Sequence, residues 1–202
     1  MPVAMRQMKA SMHHVCGIDD GALLVAFANG DKDAARDLAN RVLPRVLGQA
    51  TRMLSDRTEA EDVAQDAMMR LWKVASEWRQ GEAKVSTWLY RVVANLCIDR
   101  LRKRRDRVAL DQVAEPADGA PSAGAQMQTD ARMRALSDAL AQLPDRQAQA
   151  VALRHLEGLS NPQIAQIMDI SVRSVESLTA RGKRALADIL AGRKAELGYD
   201  DD

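Results

Sequence analysis

The stretch 159-LSNPQIAQIMDISVRSVESLTARGKRALADIL-190 decides the fold. Pro162 suits the first position of a helix, where its missing N–H costs nothing, with Asn161 or Ser160 as the cap before it. Ile164, Ala165 and Met168 recur at helical spacing, and Ala165 is small enough to admit a second helix at close range. Asp169-Ile170-Ser171 then reads as a tight turn, with Ser171 capping the next helix. On that helix Val175, Leu178, Gly182, Leu186 and Ile189 fall within about 80° of one another at about 100° per residue. Arg173, Ser174, Ser177, Ala180, Arg181 and Arg184 fall on the other side. Short polar side chains and forked guanidiniums can reach base edges, so the pattern predicts a helix-turn-helix that enters a major groove. Lys183 and Arg184 lie further along, where phosphates would be met. For the second helix alone, a solvated charged face is the competing reading.

The rest of the chain fits a helical protein. Its 202 residues allow one medium domain or two small ones. Hydrophobic residues make up 47% but aromatics only 3%, a balance that favours helices over a sandwich or barrel. No run of 18 apolar residues exists, so no membrane insertion is expected. Neither a secretory signal nor a disulfide framework is legible, and a cytoplasmic location is expected. Lys plus Arg number 29 against 28 Asp plus Glu, but the charges are segregated. Residues 91–107 hold seven basic side chains against two acids, and residues 173–194 six against two. Residues 55–66 carry five acids against Arg57, and residues 108–131 four acids with no base. Two basic blocks flanking an acidic stretch suggest two contacts with one polyanion.

Periodicity orders the chain into two all-α domains joined by a flexible acidic linker. Residues 1–18 read as a disordered extension, 19–105 as the first domain, 106–129 as the linker and 130–194 as the second domain. In the first domain Asp19 should cap a short helix that stops at Gly30. A helix from about Asp33 to Leu54 should be kinked or split at Pro44. Thr58 and Glu61 match a capping box for a helix over 59–78, and Ser86 should cap another over 87–105. The second domain should hold helices at 130–142, 145–156, 162–168 and 172–191.

Two further surfaces carry chemistry. On the helix after Ser86, Trp88, Arg91, Asn95, Asp99 and Arg102 share one side, while Leu89, Val92, Val93, Leu96 and Cys97 form a core stripe. An indole to stack on, an amide to read a base edge and guanidiniums for the backbone suit splayed-out single-stranded bases. The run Arg102-Lys103-Arg104-Arg105 would add phosphate attraction. Trp88 as plain core and Asn95 as a solvated helix residue are the bland alternatives. On the helix over 59–78, Glu61, Asp62, Gln65, Asp66 and Met69 lie on or near the exposed side. That acidic strip either serves the helix N-terminus electrostatically or docks a basic partner helix.

Three segments, AEDVAQDAMMRLWK, STWLYRVVANLCIDRLRKRR and LPDRQAQAVALRHLEGLSNPQIAQIMDISVRSVES, follow one another in that order. Together they resemble conserved regions 2 and 4 of bacterial RNA polymerase sigma factors, in the small extracytoplasmic-function (ECF) group. The resemblance implies a dissociable subunit that selects promoters, with region 2 in the first domain and region 4 in the second. It implies that Asp62, Gln65, Asp66 and Met69 meet core RNA polymerase at the β′ clamp helices, and that the β subunit is a further partner. It implies that Trp78, the 79–87 loop, Trp88, Arg91, Asn95 and Arg102 melt and capture the −10 element. The same resemblance gives Arg173, Ser174, Ser177, Arg181 and Arg184 the −35 element as duplex, and sends the linker through the polymerase channel. A stress-type regulon and an anti-sigma factor are implied by the group. Where many relatives carry basic or bulky residues, this chain has Glu176, Leu178 and Ala180, so its −35 sequence is its own.

No catalytic residue, cofactor or metal site is expected. His13, His14 and Cys16 fall in the extension and are no more than a loose hint of a sensor. An operator-binding regulator that never meets polymerase is the rival reading, and it needs neither the acidic strip nor the Trp88/Asn95 face. An enzyme on nucleic acid would want carboxylates contributed by two segments, and the acids of 59–66 sit on one.

Overall fold

The computed structural model describes residues 19–81, 83–111 and 124–193. Every regular element among them is helical: α1 Asp20–Ala28, α2 Lys32–Leu54, α3 Arg57–Val74, α4 Val85–Asp111, α5 Gly124–Gln142, α6 Asp145–Val151, α7 Asn161–Met168 and α8 Val172–Ala191. A 3-10 turn, Ala75–Glu77, ends α3, and a π turn, Ala152–Leu156, continues α6.

Short acids start the first three helices, whereas α4 begins at Val85, so Ser86 lies inside its first turn and is not the cap expected from the sequence. Asp19 accepts from the Gly21 N–H at 2.9 Å, and Asp31 accepts from Asp33 and Ala34 at 2.9 and 3.1 Å. Asp56 accepts from Glu59 at 2.9 Å. Thr58 is therefore not the cap that its spacing to Glu61 predicts: α3 is already under way at Arg57, and Glu61 pairs with Arg57 at 2.9 Å instead. Pro44 does not split α2. Val42, Val46, Ala50 and Met53 bury one face on both sides of it, and Pro44 itself is exposed, so packing outweighs one missing backbone bond.

Helices α1 to α4 enclose a core of Leu24, Leu38, Met53, Leu54, Val63, Leu71, Val85 and Leu101, each no more than 1% exposed. Each such leucine contributes about 1.5–3 kcal/mol relative to solvent exposure, enough to hold α2, α3 and α4 against one another. In the second domain Ala150, Leu153, Ile164, Ile167, Met168 and Val175 close a smaller core around the helix-turn-helix. Ser171 caps α8 by accepting from Ser174 at 3.1 Å, and Gln163 closes the cap of α7 on the Ser160 N–H at 2.9 Å. Asp169 makes the turn in the left-handed region, φ 53°. Gly182 sits where α8 crosses α6: a Cβ there would stand 2.6 Å from Val151 Cγ2 and 3.3 Å from the Gln147 carbonyl.

Two features differ from what periodicity suggests. α4 runs on to Asp111 and α5 begins at Gly124, so helix enters the stretch read as linker from both sides. The two domains also touch. Ala139, Leu140, Leu143, Ala148 and Val151 extend the core of the first domain, and Tyr90 of α4 packs on the core of the second.

Candidate nucleic-acid and polymerase interfaces

α8 presents the face its sequence describes. Val175, Gly182 and Leu186 are buried, whereas Arg173, Ser174, Ser177, Arg181 and Arg184 are exposed. Arg181 Nε donates to the Ser177 carbonyl at 3.3 Å and Arg184 Nε to the Ala180 carbonyl at 3.4 Å, which lays both guanidiniums along the helix. Beside the N-terminal half of α8 lies an open concavity lined by Ser171, Arg173, Ser174, Ser177 and Arg181, with Arg146 of α6 on its far wall. Sequence reasoning missed Arg146, which stands 27 residues before Arg173 and shows no local signal. Leu178 is half-buried against the core, as its position on the helical wheel suggests.

The second surface is built from α4 and the turn before it. Trp78 and Trp88 meet edge to face, centroids 6.4 Å apart at 86°, and both are half-buried against the core. Each indole thus splits the difference between the core and stacking readings. The Trp78 Nε1–H is buried with no hydrogen-bond partner among the described residues. Arg91 and Asn95 are exposed. Asn95 nonetheless accepts from Gln149 Nε2 at 3.1 Å, and Arg102 pairs with Asp145 at 2.8 Å. Both partners belong to the second domain.

The third surface divides in two. Gln65 and Met69, with Met68 and Trp72, form one wall of an apolar groove of about 490 Å³, and Leu43 and Leu47 of α2 form the other. Met69 at 52% and Leu43 at 41% are conspicuously exposed for large apolar side chains. Phe27 braces Trp72 from beneath, centroids 4.8 Å apart. Asp62 and Asp66 are exposed too, but turn toward α4, where Arg100 reaches them at 3.2 and 3.5 Å. Leu43, Leu47 and Arg100 were not singled out in the sequence. Leu43 alone carries a visible hint, as a leucine beside the exposed Pro44 on a face its helix does not bury.

Cys97 is fully buried, and burial pushes its thiol well above the ordinary range, so it is core and not a reactive group. His155 is held below its ordinary value by partial burial, with Lys183 and Arg154 nearby adding to the effect. Among the described residues no three His, Cys, Asp or Glu side chains gather as a metal site. His13, His14 and Cys16 lie outside those residues. No described helix is long and apolar enough to cross a membrane.

Two four-helix units packed against each other, the second containing a helix-turn-helix, define the architecture of a sigma factor with regions 2 and 4. Residues 38–107 match Sigma-70 region 2, and residues 133–186 match Sigma-70, region 4. The ECF RNA polymerase sigma factor SigM of Mycobacterium tuberculosis is 35% identical over 174 residues, spanning 85% of this chain and 84% of that protein. The ECF RNA polymerase sigma factor SigW of Bacillus subtilis is 31% identical, spanning 78% of this chain and 89% of the relative. The chain belongs to the ECF sigma factors, which are transcription initiation factors. Its fold is similar to that of CnrH in complex with the cytosolic domain of CnrY, with a TM-score of 0.57 at 23% identity over 86% of this chain and 97% of that one. It is also similar to the sigma factor RpoE in complex with the anti-sigma factor NepR from Bartonella quintana, with a TM-score of 0.51 at 23% identity over 80% and 98%.

Proposed function

We propose that this ECF sigma factor docks on core RNA polymerase through the α2–α3 groove, reads a −35 element with α8 and opens the −10 element with α4. The observation that carries the reading is the exposed Arg173, Ser174, Ser177 and Arg181 face, opening onto a concavity that Arg146 completes. Forked guanidiniums and small hydroxyls on one side of a capped helix suit duplex base edges, and Arg146 and Arg184 suit flanking phosphates. Gln65, Met69 and Leu43 offer an apolar seat for a partner helix, with Asp62 and Asp66 as the acidic flank toward basic residues of the β′ clamp helices. The β subunit would take a separate contact. The edge-to-face indoles and Asn95 supply a stacking platform and an amide for an unstacked strand. Arg91 and Arg102 supply charge for its backbone.

The chain would initiate transcription of a stress-type regulon in the cytoplasm and carry no catalytic chemistry of its own. An anti-sigma factor is a proposed partner, because a sigma factor of similar fold is bound to one. The test is copurification with core RNA polymerase and run-off transcription. Replacing Asp62 and Gln65 together should abolish both, whereas an operator-binding regulator would keep its DNA affinity and never have bound polymerase. Asn95→Ala should weaken initiation more on duplex promoters than on templates already opened at −10. Equal loss on both templates would remove Asn95 from melting.

A further inference from the structure

The exposed face of α8 holds one group that a phosphate-facing surface should lack. Glu176 is exposed in the second turn of the helix, and its side chain makes no hydrogen bond or ion pair among the described residues. At about 100° per residue, Ser177, Ala180 and Arg184 run along the middle of the face, Ser174 and Arg181 along one flank, and Glu176 and Lys183 along the other. The concavity that Arg146 completes lies on the first flank. Ser177 and Ala180 are short, so the helix can sit low in a major groove and bring both flanks to base edges. The helix dipole does not account for the carboxylate, because that benefit fades beyond the first turn, and Ser171 already fills the cap. An acid on such a face is repelled by phosphates at every sequence, so it either weakens binding generally or meets a donor at a particular base.

We propose that Glu176 is a specificity-determining residue for the −35 element: its carboxylate accepts from the N4 amino group of a cytosine in the major groove and so selects a C·G pair at one position. The inference rests on the reading of α8 as the −35 helix. In the major groove only cytosine N4 and adenine N6 donate, whereas guanine offers O6 and N7 as acceptors and thymine offers O4. An ionised carboxylate is acceptor-only, so it attracts the amino groups and is repelled by the rest. Adenine sets its N7 acceptor beside the amino group and cytosine sets none there, which puts cytosine first. Selection works through rejection as well. Guanine or thymine at that position would strip water from the carboxylate and leave it facing acceptors. Arg181 on the opposite flank has the converse preference, for O6 and N7 of guanine. The reading face is thus of mixed sign, an acceptor flank and a donor flank around a short centre. Lys183, exposed two turns beyond Glu176, is placed to meet a phosphate and offsets the repulsion on that side.

The test uses holoenzyme reconstituted from the full chain and core RNA polymerase, a pool of promoters randomised at −35 and −10, and sequencing of the transcripts. Wild type should favour a C·G pair in one orientation at one −35 position by about tenfold or more. Glu176→Ala should flatten that position and leave the others as they were. Glu176→Gln should move the preference there to adenine, whose N6 and N7 match an amide, and Glu176→Lys should move it to guanine. A change of base preference at a single position is a readout that lost fold or altered overall affinity does not produce. Variants that keep the wild-type preference at every −35 position overturn the role of Glu176. Variants that raise or lower transcripts from all −35 sequences alike overturn it too, and a general rise would mean that the carboxylate only repels the backbone. A position that responds to the variants but carries no C·G pair in wild type also overturns it. A wild-type pool selected at −10 but not at −35 overturns the reading of α8, and this inference with it, while leaving that of α4 intact. No transcript from any member of the pool overturns the promoter reading altogether.

Discussion

The helices that carry the two basic faces, α4 and α8, are held in opposite ways. α8 keeps its arginines by bonds within its own turns, Arg181 to Ser177 and Arg184 to Ala180, and presents them on an exposed face. α4 gives Arg102, Arg104 and Arg105 to groups 34 to 43 residues away. A face satisfied by its own backbone keeps its geometry whatever the other domain does. A face satisfied by a second domain depends on that domain for its geometry. One chain thus carries one basic face held within its own helix and one held by the neighbouring domain.

The sharpest way to break that contrast is through the apolar contact beneath the ion pairs. Leu140 of α5 is 2% exposed and belongs to the core that continues from the first domain. Leu140→Ala should cost about 2–5 kcal/mol by chemical denaturation, and the loss should appear in probes on both domains at low salt. A loss confined to the second domain would mean the shared core adds nothing to the first. Gly182→Ala tests the same shared core from the other side, through Val151, which belongs to it. The added methyl meets Val151 at 2.6 Å with the Gln147 carbonyl behind it, so overpacking should cost about 1–3 kcal/mol, less than Leu140→Ala, and read out most strongly in probes on the second domain.

These two sites also show what a sequence makes legible. The helix-turn-helix could be read because every determinant lies within about thirty residues: the Ser160 and Ser171 caps, the turn at Asp169 and the stripe through Val175, Gly182 and Leu186. The exposed strip Gln65–Met69 could be read for the same reason, since α3 buries its opposite side at helical period. What lay across the fold could not. Nothing near Glu157 announces Arg52, 105 residues away, and nothing near Gln149 announces Asn95. Leu43 and Leu47 became part of a groove only when α2 lay alongside α3. Pro44 misled because a local rule met a helix whose two halves are pinned by the same core face.

On DNA, the comparison predicts different signatures within α8 itself. Arg173→Ala and Arg181→Ala, at the concavity, should each weaken −35 binding by about 1–3 kcal/mol and relax sequence preference if they meet base edges. Arg184→Ala should weaken all sequences alike and reduce the salt dependence of binding by about one charge. Arg146→Ala should follow Arg184, because it stands on the far wall of the concavity and not on the reading helix. Filter binding across a salt series, on the cognate duplex and a scrambled one, separates the two patterns.

The smallest effect concerns where α3 begins, and it bears on which side chains point at a partner. Asp56 accepts from the Glu59 N–H at 2.9 Å, so Asp56→Ala should cost about 1 kcal/mol of stability. Thr58→Ala should be close to neutral, because Thr58 lies inside the first turn and caps nothing. The pair of measurements fixes where α3 begins, one turn before the stretch in which Gln65 and Met69 line the groove and Asp62 and Asp66 turn toward Arg100. If Thr58→Ala proved the costlier change, the helix would start later and less of its first turn would be formed.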